Sequence, residues 1–233
     1  MTTKDNVATR RGDTRTRLIV AAEKLFGERG IHGVTLKEIN AAAGQRNESA
    51  LHYHFGSKRA LVEAIMRHRV ADVDLRRQEM LDELVKAGQE ADLRALLRAT
   101  FMPLLELLGS AEGVRFIRFM AEILHSSDFD LPTVALRSEF PGITRANALI
   151  VAALGDLAPE IAIQRQRFMV EMALSSLAIW TRHHDAAHEV AARDLFIANL
   201  FDSIVGFLTA PVSPETLDAL KRMANTPRKR ERK

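Results

Sequence analysis

An all-α protein is predicted for this 233-residue chain by three features. Gly and Pro number 12 and 7 and aromatic residues only 6%, whereas Ala, Leu and Arg, all good helix formers, recur throughout. Apolar residues return with a 3.6-residue period in one segment after another, with capping and stop signals between them. The 47% hydrophobic and 27% charged residues suffice for a buried core, yet no apolar run approaches the ~20 residues of a membrane-spanning helix. A soluble protein that engages no membrane is therefore expected.

From Thr14 to about Glu28, Leu18, Ala21, Ala22, Leu25 and Phe26 form one stripe, and Gly27 and Gly30 supply stop signals. Thr35-Leu36-Lys37-Glu38 is a capping box, so a second helix starts at Thr35, buries Leu36, Ile39 and Ala43, and ends at Gly44. Asn47 is a plausible N-cap for a third, which buries Ala50, Leu51 and Phe55. Ser57 caps a fourth that meets no Gly or Pro before about Ala87, allowing about 45 Å of helix. Its charge-laced part, Asp72 to Glu83, reads as a bridge from a small head to a larger body. Further helices are predicted over Asp92–Leu108, Glu112–His125, Thr144–Leu157, Pro159–His183 and Glu189–Leu208, with a last short one from Ser213-Pro214. The segment from Ser126 to Pro141 is less regular. The tail from Thr226 to Lys233 has nothing apolar to bury and is expected to be disordered.

Charge is segregated along the chain. Residues 1–56 carry nine basic and six acidic side chains, residues 57–220 carry 17 and 23, and residues 221–233 carry seven and one. Basic ends around an acidic body suit a head that meets a polyanion and a body that does not. The chain has no cysteine, which excludes disulfides, thiolate metal sites and a cysteine nucleophile, and suits a reducing cytoplasm. The N-terminus lacks the apolar run of a signal peptide. A cytoplasmic location is expected.

Two short helices joined by a tight turn, with the first helix packed across them, make a helix-turn-helix unit able to place its third helix in a DNA major groove. The residues Leu25-Phe26, Gly30, Gly33-Val34-Thr35-Leu36-Lys37-Glu38-Ile39, Ala43-Gly44, and Ala50-Leu51-His52-Tyr53-His54-Phe55-Gly56-Ser57-Lys58-Arg59-Ala60-Leu61 closely resemble the DNA-binding head of the tetracycline-repressor (TetR) family. The resemblance covers roughly the first 65 residues. It implies a homodimeric transcription regulator, usually a repressor, whose helical body binds a small effector that releases the protein from a palindromic double-stranded DNA operator. The organisation that follows is a flexible basic arm over 1–13, a helix-turn-helix DNA-binding domain over 14–60, a ligand-binding and dimerisation body over 61–224, and a disordered basic tail over 225–233.

Carried onto this chain, the family's DNA-facing positions fall at Thr35, Lys37, Glu48, Ser49, His52, Tyr53 and Lys58. The stretch from Gly44 to Phe55 is one residue longer than the commonest family form, so Arg46 and Asn47 either read base edges or build the turn. Glu48 either accepts from a cytosine amine or is turned aside. His54 is open between packing and DNA contact, and the basic tail between a solvated end and a nonspecific clamp.

In the body, Phe101, Met102, Leu105, Phe116, Phe119, Met169, Met172 and Trp180 could line an apolar effector pocket, with Arg118, Glu122 and His125 as polar candidates. Such a lining favours a hydrophobic or amphipathic effector. The last two long helices carry more apolar residues than one stripe needs, so Phe168, Ile179, Phe196, Leu200, Ile204 and Phe207 are expected at a dimer interface. The rival reading is an enzyme or metal protein. Glu122 and His125 form one Glu-x-x-His pair, but a di-iron bundle needs a second pair and further glutamates, and His184 with His188 falls at a helix joint. No P-loop, dinucleotide motif or nucleophile elbow occurs. No catalytic residue, metal site or cofactor is assigned.

Overall fold

The computed structural model describes residues 3–45, 47, 49–124, 126, 128, 140–184 and 188–225, with side chains from Asp13 onward. The helices are α1 (Thr3–Arg29), α2 (Leu36–Ala42), α3 (Ala50–Phe55), α4 (Lys58–Lys86), α5 (Leu93–Leu105), α6 (Ala111–Leu124), α7 (Pro141–Ala153), α8 (Pro159–His183), α9 (Val190–Thr209) and α10 (Pro214–Ala224). A 3₁₀ turn, Glu106–Gly109, lies between α5 and α6. No strand occurs among the described residues. The all-α prediction holds.

The first three helices form the head. Thr35 caps α2 through the expected reciprocal box with Glu38. Gly44 then takes φ 68°, where a side chain would be strained, and reverses the chain. The Ser57 hydroxyl accepts from the Ala60 amide and opens α4, again as expected. Helix α1 differs: it begins at Thr3, so residues 3–13, expected as an arm, are helical. The segment holds no proline, and its single Gly12 lowers helix propensity by only about 1 kcal/mol without removing an N–H. The C-terminal tail lies outside the described residues from 226 onward.

Head and body share one apolar core, which runs from Leu18, Phe26 and Leu51 through Leu61 and Phe116 to Met169 and Phe201. The Phe26 ring of α1 stacks on Phe119 of α6, with centroids 5.9 Å apart and an 8° interplanar angle. Beside it the helices nearly touch, since a Cβ on Gly27 would lie 2.7 Å from the Arg115 carbonyl oxygen. Glu23, 3% exposed, accepts from Arg69 of α4 at 2.7 Å. A boundary at residue 60 therefore falls within α4 and marks no break in packing.

The charge-laced middle of α4, which runs from head to body as expected, is partly buried. Asp74 and Arg77 are buried, and Arg77 donates to Asp74 at 2.6 Å. The Asp74 carboxylate also accepts from the Gly142 and Ile143 amides at 2.8 and 2.9 Å, while Arg77 Nε donates to the Thr100 carbonyl at 2.9 Å. Asp74 thus supplies the N-terminal cap that Phe140, which makes no side-chain cap bond, does not give α7. With that cap the helix starts at Pro141 rather than Thr144. Pro103, inside α5, cannot donate to the preceding turn, and the chain tightens into the 3₁₀ turn at Glu106, short of the expected end at Leu108.

Candidate nucleic-acid interface

Helix α3 has six residues, too few to be stable alone, so its orientation is imposed by its neighbours. Leu51 is fully buried. On the other side, His52 is exposed, Tyr53 is 65% exposed, and His54 is half-buried with its ring edge-on to Tyr53 at 5.2 Å. Arg15 of α1 sits over the Phe55 ring at 5.2 Å, which braces the C-terminal end of α3. The rings of His52 and Tyr53 thus stand off a fixed support, carrying N–H and O–H groups suited to phosphate or base edges.

The start of α2 is held by a closed polar network. Arg29 donates to the Glu38 carboxylate at 2.6 Å and to the Gly33 carbonyl at 2.9 Å, joining the end of α1 to α2. Thr35 donates to Glu38 through its amide at 2.8 Å and its hydroxyl at 2.7 Å. The Arg29 guanidinium, aided by the Thr35 donors, lowers the Glu38 carboxyl to about 2. The Thr35 hydroxyl proton is therefore engaged inside the protein. Lys58, half-buried, donates to the Val34 carbonyl at 2.7 Å and lies 5.5 Å from the Phe26 ring centroid. Burial pushes this ammonium below the ordinary lysine range, against the pull of Glu38. Lys58 ties the head together while its charge stays near Thr35.

The long turn divides the remaining expected residues. Asn47 builds it: its side-chain oxygen accepts from the Ser49 amide at 2.9 Å and its carbonyl from the Ala50 amide at 3.1 Å. Ser49, not Asn47, stands at the cap position and makes no side-chain cap bond. Lys37 and Ser49 are exposed, and Arg46 and Glu48 lie outside the described residues. Sequence reasoning missed Arg29, Arg15 and Asn40. Asn40 had a signal, a polar side chain on the otherwise apolar face of Leu36, Ile39 and Ala43.

The expected effector lining is distributed as follows among the described residues. Phe116 and Phe119 are fully buried and pack with Phe26, while Phe101, Leu105 and Met169 belong to the same core. Met102 and Met172 are half-buried. Arg118 donates to the Thr181 carbonyl and hydroxyl, so its charge joins α6 to α8. Glu122 faces outward, 3.9 Å from Arg182, and its carboxylate would lie 3.5 Å from a Cβ on Gly30 of the head. Trp180 is stacked between His184 and Phe196 at 4.7 and 5.0 Å, at the tip of the α8–α9 pair. His125 lies outside the described residues, and with it half of the Glu-x-x-His pair. Two open grooves lie elsewhere, about 470 Å³ along α1 and α2 and about 400 Å³ between Ala153–Leu157 and Leu208–Val212.

Of the expected interface residues, Phe168 and Ile179 are 52% and 57% exposed, and Phe196 and Phe207 are half-buried. Leu200 and Ile204 instead face the protomer's own core, at 6% and 0% exposure, because α9 turns that side onto α5 and α8. Phe168, Met172, Ser175 and Ile179, spaced four, three and four residues apart on α8, form one outward stripe. No single helix among the described residues is long and apolar enough to cross a membrane.

Comparison with known proteins places both parts of the chain. Residues 18–65 match the model for bacterial regulatory proteins of the tetR family, and residues 98–210 match that for tetracyclin repressor-like C-terminal domains. The HTH-type transcriptional regulator UidR of Escherichia coli K12 is 39% identical over 62 residues, covering 27% of this chain and 31% of that protein. The HTH-type transcriptional repressor KstR2 of Rhodococcus jostii is 32% identical over 111 residues, 48% of this chain and 50% of that protein. These matches thus span about a third to a half of the relatives' own length. A solved structure titled probable transcriptional regulatory protein RHA5900 aligns with a TM-score of 0.47 at 21% identity, over 86% of this chain and 100% of that one.

Proposed function

Because the chain belongs to the tetracycline-repressor family of bacterial transcriptional regulators, a family of DNA-binding proteins and not of enzymes, we propose that it is a homodimeric repressor, released from a palindromic operator by a small hydrophobic molecule. The observation that carries the DNA-binding part is the outward face of α3, where His52 and Tyr53 stand exposed on a helix anchored through Leu51. Two such helices about one turn of DNA apart, ~34–36 Å, would read an inverted repeat. The apolar stripe of Phe168, Met172 and Ile179 on α8, flanked by Phe196 and Phe207 of α9, supports pairing of two copies. Such a regulator acts in the cytoplasm, on the chromosome.

The effector reading rests on the family and on the Phe- and Met-rich meeting of α5, α6 and α8. An effector there would shift DNA affinity only by its preference for one of two states of the protein. The test is selection of bound fragments from genomic DNA by the purified protein at physiological salt. Discrete sites sharing an inverted repeat are expected, whereas uniform binding to all fragments would refute a specific operator.

A further inference from the structure

The buried side chain of Asn40 points to a function for the long turn. Asn40 lies on α2 at 2% exposure, and its side-chain oxygen accepts from the Leu51 amide, 3.2 Å away in the first turn of α3. Its backbone carbonyl accepts from the Gln45 amide at 2.9 Å, so the same residue also fixes where the turn leaves α2. The first amides of a helix have no partner within it. Here the amides of Ser49 and Ala50 are taken by Asn47, and that of Leu51 by Asn40. Asn47 belongs to the turn and moves with it. Asn40 belongs to α2, which the Thr35–Glu38–Arg29 network fastens to α1. The side-chain bond from Asn40 is thus a direct polar tie between the opening of α3 and a rigid element of the head.

We propose that Asn40 is a positioning residue for sequence readout: its buried side-chain carbonyl sets the rotation of α3 about its axis, and so which base pairs His52 and Tyr53 meet. The inference rests on the DNA-binding reading above and deepens it. An α-helix turns by about 100° per residue, so a modest roll carries the exposed rings from base edges to the backbone. Phosphate contacts survive such a change better than base contacts do, because they depend on charge more than on register. Loss of the tie should therefore erode discrimination before it erodes binding.

The experiment uses full-length protein and compares dissociation constants for a genomically selected site and for scrambled duplex of equal length, at one salt concentration. Asn40→Ala removes the acceptor. Asn40→Ala is expected to weaken selected-site binding by about tenfold or more, the scale of a mismatched base pair, with scrambled-DNA binding changed by less than about twofold. A purely structural role would lower the unfolding temperature of Asn40→Ala with its ratio intact, and that outcome overturns the proposal. Hydrogen exchange on the wild type needs no variant: the Leu51 amide should be protected, and exchange at the rate of an open amide overturns the tie. A wild type with no preference for any site would overturn the DNA-binding reading itself. A wild type with a preference that Asn40→Ala shares overturns only the role of Asn40.

Discussion

Replacing Asp74 with alanine tests whether the junction of α4, α5 and α7 is held as described. The side chains of Asp74 and Arg77 are 3% and 7% exposed, so the variant strands a guanidinium that water cannot reach. Burial already pushes Arg77 below the usual arginine range, with Asp74 opposing that shift, and the Thr100 carbonyl would be its remaining partner. Breaking a buried pair by removing one member costs about 3–5 kcal/mol. The Gly142 and Ile143 amides lose their cap as well, which costs about 1 kcal/mol more. The expected loss is about 4–6 kcal/mol, or roughly 8–24 °C in unfolding midpoint for a domain of this size. Circular dichroism against temperature and urea, at one protein concentration because subunit pairing shifts midpoints, supplies the number. The double variant Asp74→Leu with Arg77→Met removes both charges and keeps apolar volume, so it should be more stable than Asp74→Ala alone. A loss below about 1 kcal/mol for the single variant, or a double variant less stable than it, would refute the reasoning.

Other expectations bear on other contacts. Gly27→Ala should lower the unfolding midpoint, although alanine normally gains about 1 kcal/mol over glycine within a helix, because its Cβ would meet the Arg115 carbonyl at 2.7 Å and force α1 from α6. Glu38, whose carboxyl is held at about 2 against an ordinary 4.5, adds stability that is fully present above 4.5 and lost as pH falls through that window. Acid titration of unfolding should show that loss in the wild type and a flatter slope in Glu38→Gln. Phe168→Glu with Ile179→Glu, both at exposed positions, should shift sedimentation toward a monomer while leaving helical content unchanged. A dimer of wild-type strength would remove that stripe from the interface.

What could be read from the sequence was local. The Thr35–Glu38 box, the Ser57 and Ser213 caps and the span of α8 follow from residues a few positions apart, and all appear where expected. The burial of Asp74 and Arg77 was not legible because their partners, Gly142, Ile143 and Thr100, are far away in sequence. The bonds of Arg118 to Thr181, on another helix, were likewise not legible in the sequence. Leu200 and Ile204 share α9 with Phe196 and Phe207, and composition alone does not say which side of an evenly apolar helix faces inward. At the candidate interface α3 was legible from Leu51 and Phe55, while the bond from the Leu51 amide to Asn40 is a contact between two helices that only the fold brings together.

The stacking of Phe26 on Phe119, with Gly27 against Arg115, limits how such regulators can be rebuilt. A chimera that joins this head to another relative's body would set Phe26 and Gly27 against a foreign α6, which need not offer a ring in place of Phe119 or pass Gly27 at the same distance. Recombination at the turn before α4 should therefore succeed only when the patch of α6 around Arg115 and Phe119 travels with the head. In an exchange of specificities between relatives, the natural unit of inheritance is a discontinuous one.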